Sequence, residues 1–208
     1  MADFMSLSVD GIFYLDFSDD LVQLKVDAVH ATFNVHKKVL SASSKFFQAA
    51  LKREWASSRS DPKIIDLSDD GYTIVHAYLH LLYTQQFITC IGGMLISAYI
   101  FGEKIMDIKY KNAVLQKIMA ERIPTRSIAW AANKIYGGSP PSSPARRLMA
   151  DMVADLAQKG DEWNFVFERL NNEVLVGAMK VMVEVRRAPN TRSWMVSKVK
   201  YLEEDCEP

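Results

Sequence analysis

The chain has 208 residues, is 49% hydrophobic, and balances 25 basic side chains against 25 acidic ones. That is room for one large domain or a small domain with an appendage, with enough buried surface to need no disulfides. Zero net charge argues against a general nucleic-acid binder, and two isolated cysteines, Cys90 and Cys206, exclude a disulfide scaffold or a cysteine-rich zinc module.

The first residues lack a basic start and carry Asp3 and Asp10, so they do not read as a secretory signal. Residues 7–17 include Val9, Ile12, Phe13, Leu15 and Phe17, too apolar for a free arm. Residues 1–19 are therefore expected to pack on the chain's own core or as a strand exchanged with a second subunit. The exchanged strand is the favoured reading, with Ile12 and Phe13 as contacts.

Residues 21–26 alternate as a half-buried strand does, and a turn near Asp27 leads to a second strand over 31–36, with Phe33 and Val35 on one face. The two predict an antiparallel hairpin. From Lys37 the period becomes helical. Val39, Leu40, Ser43, Phe46, Phe47, Ala50, Leu51 and Trp55 predict a short helix and a longer one, the second capped by Ser44. Residues 56–63 read as a loop and 64–67 as a third strand. Ser68, Asp69 and Asp70 then give an acidic start to a helix carrying Tyr72, Val75, Tyr78, Leu79 and Tyr83.

The uncharged run 87–102 is shorter than the ~20 apolar residues of a bilayer helix and reads as a strand end followed by a core helix. Helices are expected over 93–106 and 108–122, broken near Asp107. Pro124 marks a boundary. Beyond it, 128–136, 144–158, 174–186 and 196–202 are helical by pattern, with no repeat of fixed period. The order predicts an α+β fold rich in helices. Without a signal or a span, the protein is expected to be soluble and intracellular, in the cytoplasm, the nucleus or both.

Residues 20–84 resemble the BTB/POZ domain. The resemblance is carried by Phe33-x-Val35-His36-Lys37-x-x-Leu40-x-x-x-Ser44-x-Phe46-Phe47, with Asp20-Leu21-Val22 before it and Ile65-x-Leu67 and Leu82-Tyr83-Thr84 after it. It extends to Arg122, giving a BTB/POZ domain over 20–122 and an all-α extension over 123–208. The extension is similar to the tail of BTB proteins common in filamentous fungi, through Tyr136 and Ser143-Pro144-Ala145-Arg146-Arg147-Leu148.

The resemblance implies a protein-interaction module that forms a homodimer or recruits another protein. A cullin scaffold is the alternative partner, and a transcription-regulator complex a further one. It also implies a charged pair near a dimer interface, by position Asp20 and Lys37, better suited to fixing register than to adding stability. Two departures stand out. Cullin-binding members carry a hydrophobic-x-Glu triplet where this chain has Val75-His76-Ala77, and Gln85 stands where Gly is usual.

Other constellations have plainer readings. His76 and His80 lie four apart on one helix, but Ala77 replaces the glutamate of the zinc-protease pattern. His36 has no nucleophile in an elbow-like context beside it, and Gly137-Gly138-Ser139 lacks the ending of a phosphate loop. Ser143-Pro144 suits a helix start. Ser139-Pro140 and Ser143-Pro144 also look like proline-directed kinase sites, where a phosphate would meet a helix N-terminus and Arg146 or Arg147. Residues 104–147 carry a local net charge of +7, read as solvated helix faces or a surface for an acidic partner.

The expected function is therefore binding without catalysis, with no cofactor or metal and neither nucleic acid nor membrane as partner. The candidate contacts are Asp20, Lys37, Leu40, Phe47, Val75, Ala77, Ile12 and Phe13. A small enzyme with a site between the two parts is the rival from another class.

Overall fold

The computed structural model describes residues 19–26, 31–56, 59–87 and 92–186, and the findings below concern these residues. Strand β1 (Leu21–Val26) buries Val22, Leu24 and Val26 and exposes the residues between, except for a partly covered Lys25, as its alternation requires. It is the middle of a three-stranded sheet ordered β2-β1-β3. Strand β2 (Ala31–His36) runs antiparallel to it with Leu24 opposite Phe33. Strand β3 (Ile64–Leu67) runs parallel with Leu24 opposite Ile65.

Between β2 and β3 lie α1 (Lys37–Ser43), α2 (Lys45–Ala50) and the single turn α3 (Arg53–Ala56). Ser44 is extended between α1 and α2 and accepts the Phe47 N–H at 3.2 Å, so the predicted cap is present. The predicted long second helix is shorter. It ends at Leu51 and the helical phase resets, which leaves Trp55 exposed instead of on the apolar face. The following loop is tied down by Arg59, whose guanidinium donates to the carbonyls of Ala50, Pro62 and Ile64.

Helix α4 (Tyr72–Thr84) starts after Gly71, with no acid in its first turn. The expected acidic start lies one step earlier, and Asp70 is spent on Lys104 at 2.6 Å. Gln85 closes α4 in the left-handed region, φ 57°, where glycine would be unstrained. Helix α5 (Gly92–Lys104) is apolar on nearly every side because it is central. It packs on α4, on α6 (Ile108–Ala120) and on α7 (Thr125–Gly138), burying Leu95, Ile96, Ala98, Tyr99 and Phe101. Its 13 residues are too few to cross a membrane, as is true of every helix among the described residues.

The extension begins with α7, whose Ile128, Ala129, Ala132 and Ile135 face inward. Gly138 lets it approach α5 closely: a Cβ there would sit 2.8 Å from Ile100. Helices α8 (Pro144–Leu156) and α10 (Asn172–Val185) lie side by side, with Arg146 and Glu173 paired at their N-terminal ends. Between them α9 (Asp161–Phe167) packs on α7 through Trp163 and Val166. The sequence reading left α9 out, although Trp163, Val166 and Leu170 recur at helical spacing behind an acidic first turn. Residues 196–202 lie outside the described residues.

Candidate interaction surface

Most of the side chains expected to meet a partner are core. Leu40 and Phe47 are fully buried, seven residues apart on α1 and α2, and face α4, where Phe47 stacks on Tyr78 with ring centroids 6.2 Å apart. Val75 and Ala77 are buried on the inner face of α4. The apolar pattern that singled them out belongs to packing, so none of the four can anchor a partner without opening the fold. Asp20 is exposed and Lys37 half-buried. They are joined through the backbone, the Lys37 N–H donating to the Asp20 carbonyl at 2.9 Å, while the neighbouring Asp19 carboxylate accepts from the Lys38 N–H. Ile12 and Phe13 lie outside the described residues.

A polar hub that the sequence reading missed fixes the inner faces. The Asp107 carboxylate is fully buried and accepts from the Ser43 hydroxyl, from the Tyr78 hydroxyl at 3.1 Å and from the Tyr110 N–H at 2.9 Å. Two residues earlier in the chain, the Ile105 carbonyl accepts the Ser44 hydroxyl at 2.5 Å and the Phe46 N–H at 3.3 Å. Five donors from four elements thus converge on the α5–α6 corner. Burial, with the Asp107 charge beside it, pushes the Tyr78 phenol far above its ordinary range. The visible sequence signal was only the break near Asp107.

His36 is held at the junction of β2 and α1. Its backbone N–H donates to the Tyr83 hydroxyl at 3.0 Å, and its Nδ1 shares a second hydrogen bond with that hydroxyl at 2.9 Å. Burial raises the Tyr83 phenol against the opposing effect of the His36 N–H. His80 engages Thr84 and the Gln86 carbonyl at the end of α4, while His76 stacks on Tyr72. Among the described residues no group of three or more His, Cys, Asp or Glu is placed to hold a metal.

The surface feature of this half is an aromatic ladder across β2 and α4. Tyr72, 44% exposed, stacks on Phe33 at 5.0 Å and on His76 at 5.9 Å, while His76 also lies 6.2 Å from Phe33. Tyr72 and His76 are one helical turn apart on the outer face of α4, and Phe33 projects from a strand whose partner among the described residues is β1 alone. Of the triplet Val75-His76-Ala77, only His76 reaches this surface. Tyr72 and His76, exposed and stacked beside a partly buried Phe33, offer a partner apolar area at small entropic cost.

At the join to the extension, the expected kinase sites are turned inward. The Ser139 hydroxyl donates to the Ile135 carbonyl at 2.6 Å. Ser143, 2% exposed, caps α8 by accepting the Ala145 N–H and bonds the Tyr99 hydroxyl at 2.9 Å. A phosphate on either would break a buried bond. Tyr99 also donates to Glu103, which accepts from Lys111 at 2.7 Å. Burial would raise the Glu103 carboxyl, but these donors outweigh it and hold it below the usual range. Arg146 closes α7 by donating to the Tyr136 and Ser139 carbonyls, pairs with Glu173 at 3.0 Å, and lies 4.9 Å from the centroid of the Tyr136 ring. Tyr136, Ser143 and Arg146, which carried the likeness of the extension to fungal tails, therefore form one helix-corner lock.

The BTB/POZ domain model matches residues 15–118, half of the chain. Among solved structures, the BTB domain of zebrafish PATZ1 is similar at 17% identity and a TM-score of 0.40, covering 48% of this chain and 75% of that one. The BTB domain of human gigaxonin is similar at 14% identity and a TM-score of 0.39, covering 46% and 75%. No curated protein matches. With half its length matched by the family model, over the sheet and helices described above, the chain belongs to the BTB/POZ domain family.

Proposed function

We propose that this chain is a protein-interaction module that self-associates or recruits a partner protein, and that it performs no catalytic step. BTB/POZ domains are protein–protein interaction modules. The observation that carries the reading to particular residues is the aromatic ladder across β2 and α4, in which exposed Tyr72 and His76 stack beside a partly buried Phe33. Aromatic side chains at the centre of a contact supply most of its energy, and these three replace the buried candidates Leu40, Phe47, Val75 and Ala77. Asp20 and Lys37 remain rim charges in this proposal. Ile12 and Phe13 remain candidates for an exchanged N-terminal strand. The setting proposed is intracellular, in a protein of the filamentous-fungal type.

The cullin-adaptor reading gains nothing from α4. The position of the missing acid, Ala77, is buried, and the exposed member of the triplet is a histidine. Two measurements on the full chain test the proposal. Sedimentation velocity across a concentration series reads self-association. Affinity purification from native cells, read by mass spectrometry, identifies other partners. A monomer at every concentration that also enriches no protein over a tag control contradicts the reading.

A further inference from the structure

Helix α10 is apolar on two sides. Its inner side, Val174 and Ala178, packs on α8. Its outer side presents Val176, Met179 and Val183, which are 51%, 63% and 72% exposed among the described residues. Three large apolar side chains along one exposed stripe mark a contact surface more than a solvated face.

Along that stripe lies a shallow hollow of about 330 Å³, lined by Glu173, Val176, Gly177 and Lys180, with Asn172 at its end. The first four stand at i, i+3, i+4 and i+7, the set that receives one side chain from a facing helix. Gly177 is required by the packing beneath, since a Cβ there would sit 2.8 Å from the Tyr136 hydroxyl. Its bare backbone leaves one wall of the hollow open. The rim is charged in a self-complementary order. Glu173 keeps a 70% exposed side chain while it meets Arg146, and Lys180 is exposed and makes no ion pair among the described residues. A uniformly acidic or basic partner helix would satisfy one end of this rim and repel the other. A second copy turned about a two-fold axis at Val176 satisfies both ends: the helices run antiparallel, each Val176 enters the other's hollow, and each Lys180 meets the other's Glu173.

We infer that the outer stripe of α10 is a contact between two copies of this chain, made by antiparallel pairing of their α10 helices about Val176. Met179 and Val183 close over one side of it. One helix per copy takes part, so the contact is smaller than the ~800 Å² per partner of a stable complex. It is therefore weak and concentration-dependent. It goes beyond the binding proposed for the BTB half and shares none of Phe33, Tyr72 or His76, so either contact can fail without the other.

Cross-linking of the concentrated full chain tests it. In Val176→Cys, a short bis-maleimide should join residue 176 of one copy to residue 176 of another, identified by mass spectrometry of the linked peptide. Leu156→Cys, 52% exposed but off the stripe, reads the background of random collisions. Adding Lys180→Glu or Glu173→Lys to Val176→Cys should each cut the yield at least about fivefold, because two attractive pairs become repulsive. An equimolar mixture of those two variants should restore it, since every Glu then faces a Lys again. A structural role for either residue gives no such rescue. Unchanged far-UV dichroism in the charge variants separates a lost contact from unfolding. A Val176→Cys yield at the Leu156→Cys background overturns the inference, because something other than a second copy then holds the stripe. So does a yield that Lys180→Glu leaves unchanged, or a loss that the mixture fails to restore.

Discussion

The BTB half and the extension bury similar kinds of side chain but lock them differently. In the BTB half the lock is inside: a fully buried Asp107 gathers Ser43, Tyr78 and Tyr110. In the extension the lock is at the rim, where Arg146 joins the Tyr136 and Ser139 carbonyls to an exposed Glu173. The buried charge is costly unless all its partners are present, so it specifies one arrangement of α1, α4 and the α5–α6 corner. The rim lock tolerates loss because water can replace part of it. The BTB half should therefore fail sharply and the extension gradually.

Asp107→Ala is the strongest way to break that contrast. It removes the cap of α6 and strands the Ser43 and Tyr78 hydroxyls, for an expected loss of about 3–4 kcal/mol in denaturant unfolding. Arg146→Ala should cost about 2 kcal/mol, since charge-assisted bonds are lost at a partly wet site. Its exchange protection should fall in α7 and α8 while that of β1 is unchanged.

The hub also makes a pH prediction. Burial and Asp107 raise the Tyr78 phenol, so the native state keeps a proton that the unfolded chain loses near its ordinary value of 10.0. Stability is then fully present below that pH and falls as pH rises above it, by about 1.4 kcal/mol per pH unit for this group. Tyr83 and Tyr99 shift in the same direction. Tyr78→Phe should flatten the alkaline limb of stability against pH, and an unchanged slope would remove Tyr78 from the account.

The smallest effect expected is a gain. Met106 closes α5 in the left-handed region, φ 53°. Its N–H bonds the Glu103 carbonyl, and the Asp107 N–H bonds that of Gly102. That is the helix-end motif glycine favours, and the Met106 side chain is half exposed. Met106→Gly should stabilise the chain by about 0.5–1 kcal/mol, read as a raised midpoint at constant slope.

What was legible in the sequence followed from periodicity. The strands over 21–26, 31–36 and 64–67 and the Ser44 cap stand where alternation and capping chemistry put them. Trp55 lies off the apolar face because α2 stops at Leu51, which tertiary contacts decide, whereas α9 was legible in the spacing of Trp163, Val166 and Leu170. The site was less legible for a physical reason. Leu40, Phe47, Val75 and Ala77 stand out because they are apolar at regular spacing, and that is the signature of burial. Phe33, Tyr72 and His76 come together only when β2 lies beside α4, and no spacing in the chain announces it. The hub was hidden likewise: Ser43, Tyr78 and Asp107 are 35 and 29 residues apart.

The central claim is that this protein works by binding through the aromatic face of its BTB half. The most direct test compares the tagged full chain with its Tyr72→Ser, His76→Ser variant in parallel affinity purifications from the same native cells. Both side chains are exposed, so losing their ring stacking and some helix propensity should cost about 1–2 kcal/mol and leave the chain folded. The account predicts that the dominant partner, whether a second copy or another protein, is depleted at least about tenfold in the variant, as truncating contact anchors does. Equal recovery of that partner from both, with both folded, would contradict it.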